Sequence, residues 1–253
     1  VRIDSVEPYK KRRQIASKIG VVFGQKTQLW WDLPLIESFK ILKEIYGVSD
    51  SNYKERMEFL TNTLGINDIM NQPVRTLSLG QRMRADLLAS WLHNPKILFL
   101  DEPTIGLDVL VKDKIREAIK AMNKKYNTTV ILTTHDMQDI ENLCDRVILI
   151  DDGRIIYDGD IHSLKNKFGN IKTITVTLDN IITIDSLDDF NNTVKYSLEE
   201  NNLKIKFNPD AINIERIINY IFSNYHPKDI KITSIGIEDI VKEMLKRKEN
   251  NDA

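Results

Sequence analysis

The sequence predicts an α/β protein with a mainly parallel sheet, a helical insertion and a small α+β module at its C-terminal end. Three observations carry that prediction. Continuous apolar runs at Lys18 to Phe23, Ile97 to Leu100 and Thr128 to Thr134 suit strands covered on both faces, and helical patterns separate them. From Thr27 to Asn71 apolar residues recur every three or four positions instead. Beyond residue 170 the pattern becomes strand, strand, strand, helix, strand, helix.

Composition sets the bounds. With 253 residues, 42% hydrophobic and 29% charged, the chain is long enough for one good-sized core, or one core and a small module. A formal charge of −1, with charged residues interspersed, gives no basic field for nucleic acid, so no nucleic-acid partner is expected. A single cysteine, Cys144, rules out an internal disulfide and fits a reducing compartment, the cytoplasm by default. No apolar run reaches membrane-spanning length, so membrane association is expected only through a partner.

In chain order, residues 1 to 17 are polar and basic, and the Lys10 to Arg13 cluster reads as a solvated helix face. Lys18 to Phe23 is a strand, and Gly24-Gln25 ends it. Ile36, Phe39, Leu42 and Ile45, then Met57, Leu60 and Leu64, mark two helices that Gly47 and Gly65 terminate. Pro34 breaks the entry to this insertion. Trp30 and Trp31, directly after Gln25, either cap the insertion's core or lie open in a groove. Ser78 followed by Gln81 is a capping box, so a helix should start there and run to about His93, with its positive dipole end open to a phosphate.

Asn94-Pro95 stops that helix before the strand Ile97 to Leu100. Asp101 and Glu102 stand where the strand ends, which is where open α/β sheets bind ligands. Adjacent acids there could place one on a magnesium ion and the other beside a water; the alternative is an N-cap for the next helix. Val109 to Tyr126 is amphipathic, and His135 ends the strand Thr128 to Thr134. A helix from Met137 to Cys144 follows. Asp152-Gly153 then makes the tight turn of a hairpin, and a short helix runs on to Phe168.

The stretch from Leu77 to Asp108 resembles the ATP-binding cassette (ABC) ATPases, a P-loop NTPase family. Leu77 to Gln81 is similar to their signature motif, Ile97 to Glu102 to their Walker B strand and Gly106-Leu107-Asp108 to their D-loop; Gln25 and His135 match the Q-loop glutamine and the switch histidine. One signature position departs, with Leu79 where the family usually has glycine. The resemblance implies ATP and magnesium as cofactors. It implies that Glu102 is the general base on the attacking water, that Asp101 holds magnesium through water, and that Gln25 contacts metal and water. His135 would steady the γ-phosphate. Ser78, Gly80 and Gln81 would serve a nucleotide held by a second cassette subunit, a homodimer partner, with Asp108 linking the two sites. An integral-membrane permease is the other implied partner, which puts the protein on the cytoplasmic face of the membrane. Export is the expected direction. A non-catalytic cassette-like subunit and a non-transport ABC ATPase are the rival readings.

The resemblance covers residues 1 to about 165. In the chain as a whole, 1–168 is expected to be the ATPase core, with a helical subdomain over about 27–94, and 169–253 an accessory or regulatory module of ferredoxin-like type. A phosphate loop, Gly-x-x-x-x-Gly-Lys-Ser/Thr, does not occur among the ten glycines, and the nearest echo begins at Gly20 inside the strand before Gln25. The expectation is therefore an N-terminally truncated cassette, itself inactive toward ATP. The strands at Lys18 to Phe23 and Ile97 to Leu100 would then lack neighbours.

Overall fold

The computed structural model describes residues 2–3, 6–24, 26–167, 171–178, 190, 193–234, 236–241 and 244. The chain forms two compact units, Val1–Cys144 and Asp145–Ala253. The division falls earlier than the change of sequence character near residue 168.

In the first unit, α1 (Arg12–Ala16) leads to β1 (Ile19–Phe23). The insertion follows as α2 (Leu35–Tyr46) and α3 (Asp50–Leu64), which end on Gly47 and Gly65 in the left-handed conformation, φ 64° and 58°. These C-caps need φ values that glycine adopts without a Cβ penalty. Two short 3₁₀ turns lead to α4 (Leu79–Trp91), whose Ser78–Gln81 capping box is formed as the sequence predicts. Then come β2 (Ile97–Asp101), α5 (Val109–Tyr126), β3 (Thr129–Thr133) and α6 (Met137–Leu143).

The strands form a parallel sheet in the order β1-β2-β3, with Asp101 in register with Phe23 on one side and Thr133 on the other. α4 lies directly on β1: a Cβ on Gly20 would come within 2.4 Å of the Ser90 carbonyl oxygen. Its apolar side, including Leu87, Leu88 and Trp91, joins Phe39, Leu60, Leu98, Leu100 and Ile115 in one continuous core.

Two strand expectations need correction. β2 has neighbours on both sides, so it lacks none; β1 and β3 are the edge strands among the described residues. Nor is β3 buried: Ile131 is 46% exposed, and Phe23 at the end of β1 is 54% exposed. An apolar run announces that a strand suits coverage on both faces, but what covers it is a matter of tertiary contacts.

The second unit opens with the antiparallel hairpin β4 (Arg146–Asp151) and β5 (Arg154–Asp160), turning through Asp152 and Gly153 at φ 47° and 72°. α7 (Ile161–Lys167) follows. β6 (Lys172–Leu178), β7 (Val194–Glu199), β8 (Asn202–Phe207) and β9 (Pro227–Ser234) form an antiparallel sheet ordered β7-β8-β6-β9, with α8 (Ile214–Asn224) between its last two strands in sequence. That strand order is the ferredoxin-like one expected for the module. Ile174, Val176, Leu203 and Ile205 pack with Ile217 and Ile221 to give this unit its own core. Among the described residues, no helix is long and apolar enough to cross a membrane.

Candidate functional site

The parallel sheet brings its strand ends together, and the acid pair stands on the middle strand. Glu102 follows Asp101 out of β2 with φ 49°, a left-handed conformation uncommon for any residue with a Cβ. Its N–H still bonds the Thr133 carbonyl at 3.0 Å, and its own carbonyl accepts from Ile105 at 3.2 Å. The backbone therefore leaves the sheet in a tight turn that presents the carboxylate at the C-terminal end of the middle strand. His135, two residues past β3, donates or shares a proton through Nδ1 with Glu102 Oε1 at 2.9 Å. The Glu102 carboxylate holds the imidazole pKa above its usual 6.5, so the charged form is favoured although the ring faces solvent.

Asp101 is exposed, and its Oδ1 accepts from the Thr133 hydroxyl at 2.5 Å. One carboxylate oxygen is thus oriented by the neighbouring strand, which leaves Oδ2 open to solvent-side ligands. Gly24 sits against this turn: a Cβ there would lie 2.7 Å from the Glu102 carbonyl oxygen and 2.9 Å from that of Asp101. Only glycine lets the end of β1 approach so closely. Gln25 lies outside the described residues, but its neighbours on each side are fixed. On the far side, Thr27 donates to the buried Asp86 carboxylate at 2.9 Å and Gln28 N–H does so at 3.1 Å. Burial pushes the Asp86 pKa up to about 7, with the two hydrogen bonds opposing it.

This segment also disposes of a near-match to a phosphate loop. Lys26-Thr27 fall six and seven residues after Gly20, as in that motif, with Gln25 in place of its second glycine. Residues 19–23 are strand rather than loop, and the Thr27 hydroxyl is committed to Asp86.

The signature residues form a second cluster. Ser78 Oγ accepts from the Gln81 N–H at 3.2 Å and Gln81 Oε1 accepts from the Ser78 N–H at 2.9 Å. This leaves the Ser78 hydroxyl proton and the Gln81 amide group for an outside acceptor. Gly80 has a packing reason of its own, since a Cβ would meet Val111 at 2.9 Å. Leu79 packs beside Gly106, whose φ is 72°. Asp108 caps α5 by accepting from the Val111 N–H at 3.0 Å, so the N-cap of that helix is Asp108 and not the acid pair. Thr133 and Asp86 were missed by sequence reasoning: a threonine in a strand and an acid in a helix give no local signal, and only sheet register and helix docking reveal their partners.

Among the described residues no three His, Cys, Asp or Glu side chains converge on one metal position. The donor set fits a magnesium ion held by one carboxylate, water and phosphate oxygens, as that ion prefers. It fits a distal phosphate at the α4 terminus less completely, because the 253 residues include no lysine-bearing phosphate loop.

The ABC transporter family profile matches residues 1–105. The ABC transporter ATP-binding protein NatA of Bacillus subtilis (strain 168) is 32% identical over 164 residues, which are 65% of this chain and 66% of NatA. The Linearmycin resistance ATP-binding protein LnrL of the same organism is 27% identical over 235 residues, 91% of this chain and 73% of LnrL. Among solved structures, cbiO1 from Clostridium perfringens, part of the ABC transporter complex cbiONQ, superimposes with a TM-score of 0.57 at 27% identity over 65% of each chain. About a third of NatA and of cbiO1 therefore lies outside the matched region. Matches of this extent, laid over a shared fold, make the chain a member of the ABC family of transporter ATP-binding proteins.

Proposed function

We propose that this chain is the ATP-hydrolysing subunit of an ABC exporter, working as a cassette dimer on the cytoplasmic face of a separate membrane permease. The observation that carries it is the Glu102–His135 pair at 2.9 Å on adjacent strand ends, with Asp101 beside it. Bound magnesium would neutralise charge on the phosphates of ATP. Asp101 would hold it through water on the oxygen that Thr133 leaves open. Glu102 keeps one carboxylate oxygen on His135 and has the other to take the proton of an attacking water. His135, favoured in its charged form, has Nε2 left to donate toward the distal phosphate. Gln25 is assigned to metal and water on the strength of its neighbour Gly24. Ser78, Gly80 and Gln81 are assigned to the nucleotide of the opposite subunit, with Asp108 in the linking turn. Residues 169–253 serve as an accessory module, consistent with LnrL matching 91% of the chain.

Trp30 and Trp31 carry the permease part of the reading. They are 38% and 49% exposed, so they do not cap the insertion's core, and Arg82 lies 5.2 Å from the Trp31 ring. Exposed aromatics beside an arginine are what a protein interface uses. The full-length protein reconstituted with its permease in proteoliposomes tests both parts. ATP-driven movement of solute away from the cassette side is expected, and Trp30→Ala or Trp31→Ala should lower permease-stimulated ATPase several-fold while sparing basal activity. Solute movement toward the cassette side would overturn the export direction alone. Equal loss of basal and stimulated activity would remove the tryptophans from the interface.

A further inference from the structure

We propose that Asp139, seated on Arg116, is a positioning residue that ties the turn carrying Glu102 to the turn carrying His135. The inference rests on the reading of those two residues as the catalytic pair. Asp139 lies on α6 and is fully buried, as are Arg116 of α5 and Thr104. Its Oδ2 accepts two hydroxyls, from Thr104 at 2.6 Å and Thr134 at 3.0 Å. Thr104 is two residues after Glu102, and Thr134 immediately precedes His135. One oxygen atom therefore holds both turns.

The other oxygen, Oδ1, accepts from Arg116 Nε at 2.6 Å. The remaining guanidinium nitrogens reach Asp113 at 2.9 Å, Gln138 at 3.2 Å and Asp136 at 3.2 Å, and Lys112 meets Asp136 at 2.6 Å. The Asp136 N–H in turn donates to the Thr134 hydroxyl at 3.0 Å. Every polar group around the carboxylate is thus engaged, which is what makes a fully buried charge tolerable. A buried ion pair is poor value as a stabiliser compared with apolar packing, so its worth here is geometric. Glu102 holds a left-handed conformation, and such a backbone persists where its surroundings determine it. The Thr104 bond, together with the Ile105 turn, is that determinant. If one turn shifts, Oδ2 transmits the shift to the other, and the 2.9 Å contact between Glu102 and His135 is set by both.

Thr104→Val and Thr134→Val delete one hydroxyl each at nearly constant shape, and Thr104→Ser and Thr134→Ser retain it. Amide hydrogen exchange is read over residues 102–107 and 133–138 in each protein, and ATP turnover is read in the full-length protein with its permease. Each valine variant should speed exchange in both segments, and should lower kcat by about ten- to a hundredfold while KM for ATP moves far less. Each serine variant should behave as the parent does. Exchange rising only in the mutated segment, or serine variants falling as far as valine ones, would overturn the clamp. A parent protein that hydrolyses no ATP would sink the catalytic reading alone, because the exchange comparison still decides whether Asp139 couples the turns.

Discussion

Glu102 is held by its backbone from two sides and by His135 at its tip, so its carboxylate has little freedom before any substrate arrives. That pre-organisation is the condition for a general base, whose contribution depends on reach more than on strength. In the full-length protein, Glu102→Gln should lower ATP turnover by about 10²–10⁴-fold with nucleotide binding retained, since the amide keeps the shape but cannot accept the proton. Turnover within tenfold of the parent would remove Glu102 from that role. The same change should let the His135 pKa fall back toward its usual 6.5, which an NMR titration reads. The sign follows from the pairing. A histidine whose folded pKa is raised gives stability at pH values below its unfolded pKa, and that stability is lost as the pH climbs through the folded value.

At the scale of elements, α4 does two jobs: it packs on β1 at Gly20, and through Asp86 it holds the segment that leads out of β1 past Gln25. Asp86 is 4% exposed, and burial raises its pKa to about 7 against the opposing hydrogen bonds of Gln28 and Thr27 and the charge of Arg82. The native state therefore keeps a proton that the unfolded chain gives up near pH 4. Stability from this group is full below the unfolded pKa and is lost as the pH rises through about 7, at a cost on the order of 4 kcal/mol. Asp86→Asn keeps an acceptor oxygen for Thr27 and Gln28 and has no charge to bury. Urea denaturation at pH 5 and pH 8 should show the variant gaining on the parent at the higher pH, and a pH-independent difference between the two proteins would refute the assignment.

At the scale of the molecule, the parallel sheet of the first unit ends, among the described residues, in an edge strand, β3, with Ile131 46% exposed, and the second unit has a core of its own. An edge strand with uncovered apolar side chains is a site for further pairing or for aggregation. Residues 1–253 alone are therefore expected to bind a hydrophobic dye and to show no calorimetric binding of Mg-ATP. A chain extended N-terminally with a phosphate loop should lose the dye binding and gain the nucleotide, because backbone N–H groups and a lysine supply the main grip on the β- and γ-phosphates. Micromolar ATP binding by residues 1–253 would place the phosphate site elsewhere.

The sequence by itself determined what is local. The Ser78–Gln81 capping box, the glycine C-caps at 47 and 65, the Asp152-Gly153 turn and the bounds of α5 all depend on residues within a few positions of one another. So did the candidate pair Asp101 and Glu102, because acids at the end of an apolar run mark a strand's ligand-binding end. Tertiary structure alone decided the partners: Thr133 across from Asp101, Asp86 beneath Thr27, and Asp139 between Thr104 and Thr134, 35 and 5 residues away. It also decided that β2 rather than β1 is the middle strand and that Gly80 faces Val111. The reason is physical: periodicity reports which face of an element is apolar, whereas sheet register and helix docking are set by contacts between residues distant in sequence, which no local pattern encodes.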